Sequence, residues 1–137
     1  EPIEKRLQQI ATDAARLIER LAPDAMAVEK LYSHYAHPRT AILMGHARGI
    51  ILQQAAAAGV SVQSFSATRI KKAITGNGRA GKEQVQRATK SLLALAALPE
   101  PADVSDAIAV ALCCANDRST PLSDEARLQR AGRYERK

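Results

Sequence analysis

The segments AMAVE at residues 25–29 and VSVQSFS at residues 60–66 decide the fold class of this chain. The first is almost entirely apolar, as expected for a central parallel strand buried on both faces. The second alternates apolar and polar residues, which is typical of a β-strand. Between them, residues 39–58 have the pattern of a long helix that starts after Pro38 and ends at Gly59. A strand–helix–strand order implies parallel pairing, so the sequence predicts an α/β fold.

The other segments with apolar periodicity predict helices. Residues 3–21 carry one apolar face at spacings of three and four, and Pro23 ends this helix. The elements predicted after the second strand are a basic helix over 67–74, a glycine loop over 76–81, and helices over 82–97 and 102–115. Because two strands alone make a poor sheet, we expect the sheet to have further strands in a segment before Glu1.

The composition is that of one globular domain. The chain has 137 residues, of which 46% are apolar and 25% are charged. Its apolar runs are interrupted too often for a membrane span. The adjacent Cys113 and Cys114 cannot form a disulfide framework and favour a reducing, cytoplasmic location. We predict a domain over residues 1–115, followed by a basic, poorly ordered tail over 116–137.

The excess positive charge is concentrated in about one sixth of the chain. The net charge of the whole chain is +6, and residues 69–90 alone hold seven basic side chains and one acidic one, a local charge of +6. We call these seven the basic stripe: Arg69, Lys71, Lys72, Arg79, Lys82, Arg87 and Lys90. Such a stripe favours a polyanion partner, although many charge runs are only a solvated surface. The chain has four aromatic residues, so contacts to phosphates are a better hypothesis than base stacking.

The glycine loop GNGRAGK at residues 76–82 matches two phosphate-binding patterns but has the context of neither. It follows a helix where a dinucleotide-binding loop would follow a strand, and Glu83 occupies the position of the magnesium-binding hydroxyl of a phosphate loop. The sequence therefore argues against nucleotide hydrolysis. We expect a flexible cationic loop whose free amides and Lys82 hold one backbone phosphate.

Three acids have positions suited to metal chemistry. Glu29 ends the first strand, and Asp103 and Asp106 share one face of the last helix. Acids in a first turn also complement the helix dipole, but a buried Glu29 at a strand end needs a cation or a donor. Three converging carboxylates suit hydrated Mg²⁺, and two such ions support phosphodiester cleavage. The histidines lack further ligands at zinc spacing.

Four blocks of the sequence resemble the RuvC family of bacterial Holliday junction resolvases. They are AVEKLY at 27–32, TAILMGHARG at 40–49, IKKAITGNGRAGKEQVQ at 70–86 and ADVSDAIAVA at 102–111. The blocks have the family's order and nearly its spacing, and the resemblance covers residues 3 to about 115. It implies a ribonuclease H-like fold that lacks here the N-terminal strands of its sheet, together with the catalytic aspartate that the first of them carries.

The resemblance also implies a function. A member of this family is a homodimeric, Mg²⁺-dependent endodeoxyribonuclease that resolves four-way junctions by paired symmetric nicks. It works in recombination and repair in the bacterial cytoplasm, beside branch-migration proteins. Two Mg²⁺ ions are expected, which Mn²⁺ can replace. The matching metal-binding and catalytic residues are Glu29, Asp103 and Asp106; the matching DNA-binding residues are Tyr32, Lys71 and Lys82, to which the basic stripe adds Arg79.

Two points stay open at the level of sequence. Because the family's first catalytic aspartate is absent, the chain is expected to be inactive by itself, and it can instead be a module that binds branched DNA or dimerises without cutting. A resolvase-like accessory domain of a larger nuclease is a third hypothesis. The helix over 39–58, with Ile42, Met44, Ile50 and Leu52, is predicted either to form part of a dimer interface or only to cover the sheet.

Overall fold

A computed structural model of the 137-residue chain describes residues 1–31 and 37–117. The elements within these ranges are α1 (Ile3–Leu21), β1 (Ala25–Glu29), α2 (Pro38–Ala57), β2 (Ser61–Phe65), α3 (Ala67–Thr75), α4 (Lys82–Leu92) and α5 (Ala102–Asn116). Their order is the predicted α/β order. Across the described ranges, no helix has the length and apolar character needed to cross a membrane.

The two strands pair and end side by side. β1 and β2 are hydrogen-bonded neighbours, and the Lys30 N–H, just after β1, donates to the Phe65 carbonyl oxygen at 2.8 Å. Since the carboxyl end of one strand meets that of the other, the strands run parallel, as the helical crossover requires. Residues 25–28 are half-buried and Glu29 is exposed. The prediction of a strand buried on both faces is therefore wrong, because the sheet of the described residues is only two strands wide.

Left-handed residues end three helices close to the predicted places. Ala22 (φ 43°) ends α1 directly before Pro23 and donates its N–H to the Ile18 carbonyl oxygen at 2.9 Å. Gly59 (φ 68°) follows α2, and Gly76 (φ 78°) follows α3. Glycine adopts this conformation without a steric penalty, which explains why its position in the sequence marks these boundaries well.

The helix α4 ends at Leu92, five residues before the predicted end. Ala94 adopts the left-handed conformation (φ 50°), and the Leu95 N–H donates to the Lys90 carbonyl oxygen at 2.9 Å. Alanine is the strongest helix former, so nothing in the local sequence signals this end. The left-handed residue at this helix end is thus an alanine, where a glycine is usual.

The described residues divide into two compact units. The first unit contains residues 1–26, 31 and 37–62, and in it α1 packs against α2. In α1 the inward positions Leu7, Ile10 and Ala14 are half-buried and Ile18 is buried. Other apolar residues of the predicted face stay exposed in large part: Ile3 (40%), Leu17 (47%) and Leu21 (63%).

The second unit, residues 27–30 and 63–117, contains the hydrophobic core. In it α3, α4 and α5 pack against one another. The buried cluster consists of Phe65, Ile70, Ile74, Ala80, Val85, Ala109, Val110 and Cys113. Two hydroxyl groups, Thr89 Oγ1 and Ser105 Oγ, are also buried there without a hydrogen-bond partner.

Candidate functional site

One concave surface of the second unit brings together charged side chains from four elements. It has a volume of about 240 Å³ and contains Glu29 from β1, Lys71 from α3, Lys82 from α4 and Asp106 from α5. We call this surface the acid–lysine cleft. Its apolar floor is formed by Ala67, Ile70, Val85, Ala109 and Val110.

The local sequence explains how these side chains reach the cleft. Lys71 directly follows the buried Ile70, and Asp106 directly follows the buried Ser105. In a helix, neighbouring residues point about 100° apart, so a buried anchor directs the next residue towards the edge of the buried face. Packing of the helices thereby orients both charged residues at the rim.

Lys82 and Asp106 form an ion pair within the cleft. The Lys82 Nζ lies 3.5 Å from the Asp106 Oδ2, and the two side chains are 60% and 42% exposed. Solvent screens a pair of this exposure strongly, so its contribution to stability is small. The pair joins the first residue of α4 to α5, and it sets a cation beside one of the predicted metal-binding acids.

Two of the three predicted metal-binding acids line the cleft. Glu29 and Asp106 do so, whereas Asp103 is exposed one helical turn before Asp106 and is not part of the lining. Glu29 is exposed, contrary to the burial expected from sequence. In residues 1–31 and 37–117, no three His, Cys, Asp or Glu side chains are grouped so that they could hold a metal ion. Two carboxylates still fit Mg²⁺, because this ion keeps several waters and takes few protein ligands.

The glycine loop is braced by hydrogen bonds from side chains, and its predicted flexibility stays a prediction. The Thr75 Oγ1 donates to the Lys71 carbonyl oxygen at 2.7 Å and accepts from the Asn77 N–H at 3.1 Å. The Asn77 Oδ1 accepts from the Arg79 N–H at 2.9 Å, and the Asn77 carbonyl oxygen accepts from the Ala80 N–H at 3.1 Å. These bonds fix the backbone that carries Arg79.

The predicted free amides of this loop are also engaged. Besides the Arg79 and Ala80 amides, the Gly81 N–H donates to the Gln84 Oε1 at 2.9 Å, which fixes the start of α4. Gly78 approaches α3 so closely that a Cβ atom there would lie 2.8 Å from the Thr68 Cγ2. The loop therefore offers a phosphate its cationic side chains, Arg79 and Lys82, and not the three amides. Sequence reasoning missed the close contact between Gly78 and Thr68. The only local signal for it was the turn at Asn77–Gly78.

The basic stripe is not one uniform surface. The Arg69 guanidinium donates to the Asp117 Oδ2 at 2.8 Å and lies 5.1 Å from the centroid of the Phe65 ring. Arg87 pairs with Glu83 at 3.6 Å. All four of Arg69, Arg87, Lys72 and Arg79 are exposed, but Arg69 and Arg87 are each paired with an acid. The predicted DNA-binding residue Tyr32 lies outside the described residues.

The helix α2 of the first unit exposes part of its apolar surface. Ile42, Leu43 and Met44 are 59%, 40% and 52% exposed. Ile50 and Leu52, which were predicted to share their function, are half-buried. The N-terminal half of α2 is thus the more accessible part of the helix.

The comparisons with known proteins agree with the sequence blocks. A family model described as "Crossover junction endodeoxyribonuclease RuvC" matches residues 1–114. This chain belongs to the RuvC family. A RuvC from Rhodopirellula baltica is 54% identical over 80% of this chain, and one from Heliobacterium modesticaldum is 47% identical over 81% of it. The chain covers 61% and 68% of the lengths of these two relatives.

Solved RuvC structures also resemble this chain. The structure entitled "Thermus thermophilus RuvC structure" has a TM-score of 0.77 and 34% sequence identity. The match covers 84% of this chain and 69% of the chain in that structure. A second, entitled "T. thermophilus RuvC in complex with Holliday junction substrate", has a TM-score of 0.79 and 33% identity over the same shares. The RuvC resemblance and the ribonuclease H-like fold expected from sequence are therefore confirmed.

Proposed function

We propose that this chain provides the catalytic and DNA-binding surface of a RuvC crossover junction endodeoxyribonuclease. Its substrate is four-way junction DNA, which it resolves by paired symmetric nicks. The observation that carries the proposal is the acid–lysine cleft, where Glu29 and Asp106 lie with Lys71 and Lys82 in a chain of the RuvC family. We place the end of the resolvase domain at residue 117, two residues beyond the predicted boundary, because α5 continues to Asn116 and Asp117 pairs with Arg69; the basic segment over 118–137 follows it.

The carboxylates of the cleft serve the metal. Glu29 and Asp106, joined by Asp103 from the preceding turn of α5, would hold Mg²⁺, for which Mn²⁺ could substitute. When two such ions are bound, they supply a hydroxide nucleophile and neutralise charge at the leaving 3′ oxygen. The carboxylates would accept hydrogen bonds from water in the cleft and so orient it towards the phosphate.

The cations of the cleft serve the phosphate. Lys71 and Lys82 neutralise the backbone near the cut, which contributes affinity but no sequence selectivity. Arg79 contacts a neighbouring phosphate through its side chain, because its backbone amide is engaged within the loop. Tyr32 contacts the bases near the exchange point of the strands.

We further propose that the protein acts as a homodimer through α2. The exposed Ile42, Leu43 and Met44 support this role, because clustered apolar side chains on a surface mark interfaces. The variant Ile42→Asp should raise the dimer dissociation constant more than about tenfold in sedimentation analysis. The matched change Gln8→Asp, on the exposed polar surface of α1, should leave it unchanged. Branch-migration proteins of the bacterial cytoplasm would be further partners.

A cleavage assay on a synthetic four-way junction tests the nuclease proposal. With Mg²⁺ present, a protein that joins this chain to a strand carrying the family's first catalytic aspartate should nick the junction and spare a linear duplex, whereas the chain alone should bind the junction without nicking it. Glu29→Gln should reduce the nicking rate by about 100-fold or more while junction binding persists. Glu83→Gln is the matched control, because Glu83 is an exposed acid of α4 that pairs with Arg87 and does not line the cleft. Full nicking by Glu29→Gln would contradict the catalytic assignment.

A module that binds branched DNA without cutting is a second candidate. It is favoured by one observation, namely that two of the three predicted acids, and not all three, line the cleft of the described residues. Tight, junction-selective binding with no nicking by the joined protein in Mg²⁺ or Mn²⁺ would select this candidate. Lys71→Ala and Lys82→Ala should weaken binding and reduce its salt dependence under either candidate.

A further inference from the structure

Lys82 lies where its ammonium group and a metal ion would both be attracted to the same carboxylate. Its Nζ is 3.5 Å from the Asp106 Oδ2, in the cleft that also contains Glu29 and Lys71. A divalent cation on Asp106 repels a nearby ammonium group and cancels the negative charge that attracts it. Any metal that binds Asp106 must therefore compete with Lys82.

The side chain of Lys82 is free to leave while its backbone stays in place. It is 60% exposed and has a flexible four-carbon stem. Its backbone begins α4, where the bond from the Gly81 N–H to the Gln84 Oε1 and the braced glycine loop fix the chain. Movement of Lys82 consequently needs only a change of rotamers, which takes place on the picosecond-to-nanosecond timescale in exposed residues.

We propose that Lys82 is a built-in cation that occupies Asp106 in the metal-free protein and that metal binding releases it to contact a DNA phosphate. This inference rests on the proposed function, because it takes Asp106 as a metal ligand. It adds that metal binding and phosphate binding are positively coupled through one side chain. By linkage, the metal strengthens DNA binding by the same factor by which DNA strengthens metal binding.

The coupling gives Lys82 substitutions an unusual signature. Lys82→Met removes the competing ammonium and keeps a long, unbranched side chain. It should tighten metal binding and weaken DNA binding, whereas a residue that only contacts phosphate would weaken DNA binding alone. Because the pair is solvent-exposed, the expected gain in metal affinity is about two- to fivefold.

Mn²⁺ binding, measured by electron paramagnetic resonance of the free ion, tests the inference without any cleavage. Wild type should bind Mn²⁺ in the cleft, and Asp106→Asn should lose that binding. Lys82→Met should bind about two- to fivefold more tightly than wild type. Lys71→Met measures the general effect of removing a positive charge from the cleft, and Lys72→Met does the same for an exposed charge outside it. The gain for Lys82→Met should exceed both.

A second measurement follows the coupling to DNA. Ca²⁺, another hard divalent cation, should strengthen binding of a four-way junction to wild type more than to Lys82→Met. Circular dichroism at equal protein concentration verifies that every variant is folded.

The outcomes separate the inference from the proposed function. If wild type binds Mn²⁺ through Asp106 but Lys82→Met binds no more tightly than Lys71→Met, the inference is wrong and the metal site stands. If neither wild type nor Lys82→Met binds Mn²⁺ in a way that depends on Asp106, both the inference and the proposed metal site are wrong. Tighter binding by Lys82→Met, together with a smaller effect of Ca²⁺ on its DNA affinity, supports both.

Discussion

The two compact units of this chain bury their apolar side chains to different extents. The second unit encloses a cluster that includes Phe65 and Ala109, which are 2% and 1% exposed. The first unit buries Ile18 and Ala55 but leaves large apolar side chains such as Ile42 at 59% exposure. The second unit thus has a packed core of its own, although it also exposes Leu92 (57%), whereas the first unit exposes more large apolar side chains and buries fewer.

This difference matches the function that we propose for each unit. All four charged residues of the acid–lysine cleft belong to the second unit, and their helices are anchored by buried neighbours. A site for metal and phosphate needs side chains held at defined positions, which close packing provides. The interface that we propose on α2 needs accessible apolar area instead.

The largest expected effect comes from truncation of the core of the second unit. Phe65→Ala should lower the free energy of unfolding by about 3–5 kcal/mol, because it removes a buried aromatic side chain and leaves a cavity. Leu17→Ala in the first unit should cost less than about 1.5 kcal/mol, since Leu17 is 47% exposed. Urea denaturation followed by circular dichroism measures both. Equal losses would contradict the contrast between the units.

A methyl group added to two glycines should have opposite effects in the two units. Gly78→Ala should destabilise by about 1–3 kcal/mol, because its Cβ would meet the Thr68 Cγ2 at 2.8 Å. Gly45→Ala, inside α2 with no neighbour within 4 Å, should stabilise by up to about 1 kcal/mol through helix propensity. Thermal and urea unfolding give both values.

Relief of the contact at Gly78 sharpens this prediction. Thr68→Ser removes the Cγ2 atom, so the double variant Gly78→Ala with Thr68→Ser should recover part of the lost stability. No recovery would mean that the Thr68 carbonyl oxygen, 3.3 Å from the added Cβ, decides the effect.

The buried hydroxyl of Ser105 should destabilise the core of the second unit relative to an alanine at the same position. Ser105→Ala should raise the free energy of unfolding by about 1 kcal/mol, because the Ser105 Oγ is buried without a hydrogen-bond partner. Ser91→Ala, at an exposed position of α4, should change it by less than about 0.5 kcal/mol. Calorimetry can resolve this difference. A loss of stability for Ser105→Ala would show that its hydroxyl is paired in solution.

The smallest expected effect concerns pH. Burial raises the pKa of the Cys113 thiol above its usual value. The positive charge of Arg69 lowers this pKa in part but does not cancel the effect of burial. As the pH rises, the thiol of the unfolded chain therefore loses its proton before the thiol of the folded chain does. The stability of the folded state is unaffected by this group below the ordinary thiol pKa and falls as the pH rises above it. Between about pH 8 and pH 10 the stability of wild type should fall more steeply than that of Cys113→Ala. Cys114→Ala should flatten the slope only slightly, because Cys114 is the smallest of the influences on the pKa of Cys113.

Local patterns in the sequence predicted most of the elements. The bounds of α1 and β1 are those expected from apolar spacing and from Pro23, and Gly59 and Gly76 follow the ends of their helices. These features depend on neighbours in the chain, so the sequence encodes them directly. The end of α4 at Leu92 was not predicted, because a left-handed alanine leaves no local signal.

The candidate site divides in the same way. The sequence alone predicted the α/β order and the family, which are confirmed, and it supplied the proposed acids and cations, since these predictions depend on residue types and short spacings. Only the tertiary structure decided that Asp106 faces Lys82 while Asp103 lies outside the cleft, and that Arg69 is held by Asp117, 48 positions away. Contacts between distant segments depend on how helices pack, and packing is a property of the whole fold that short patterns do not contain.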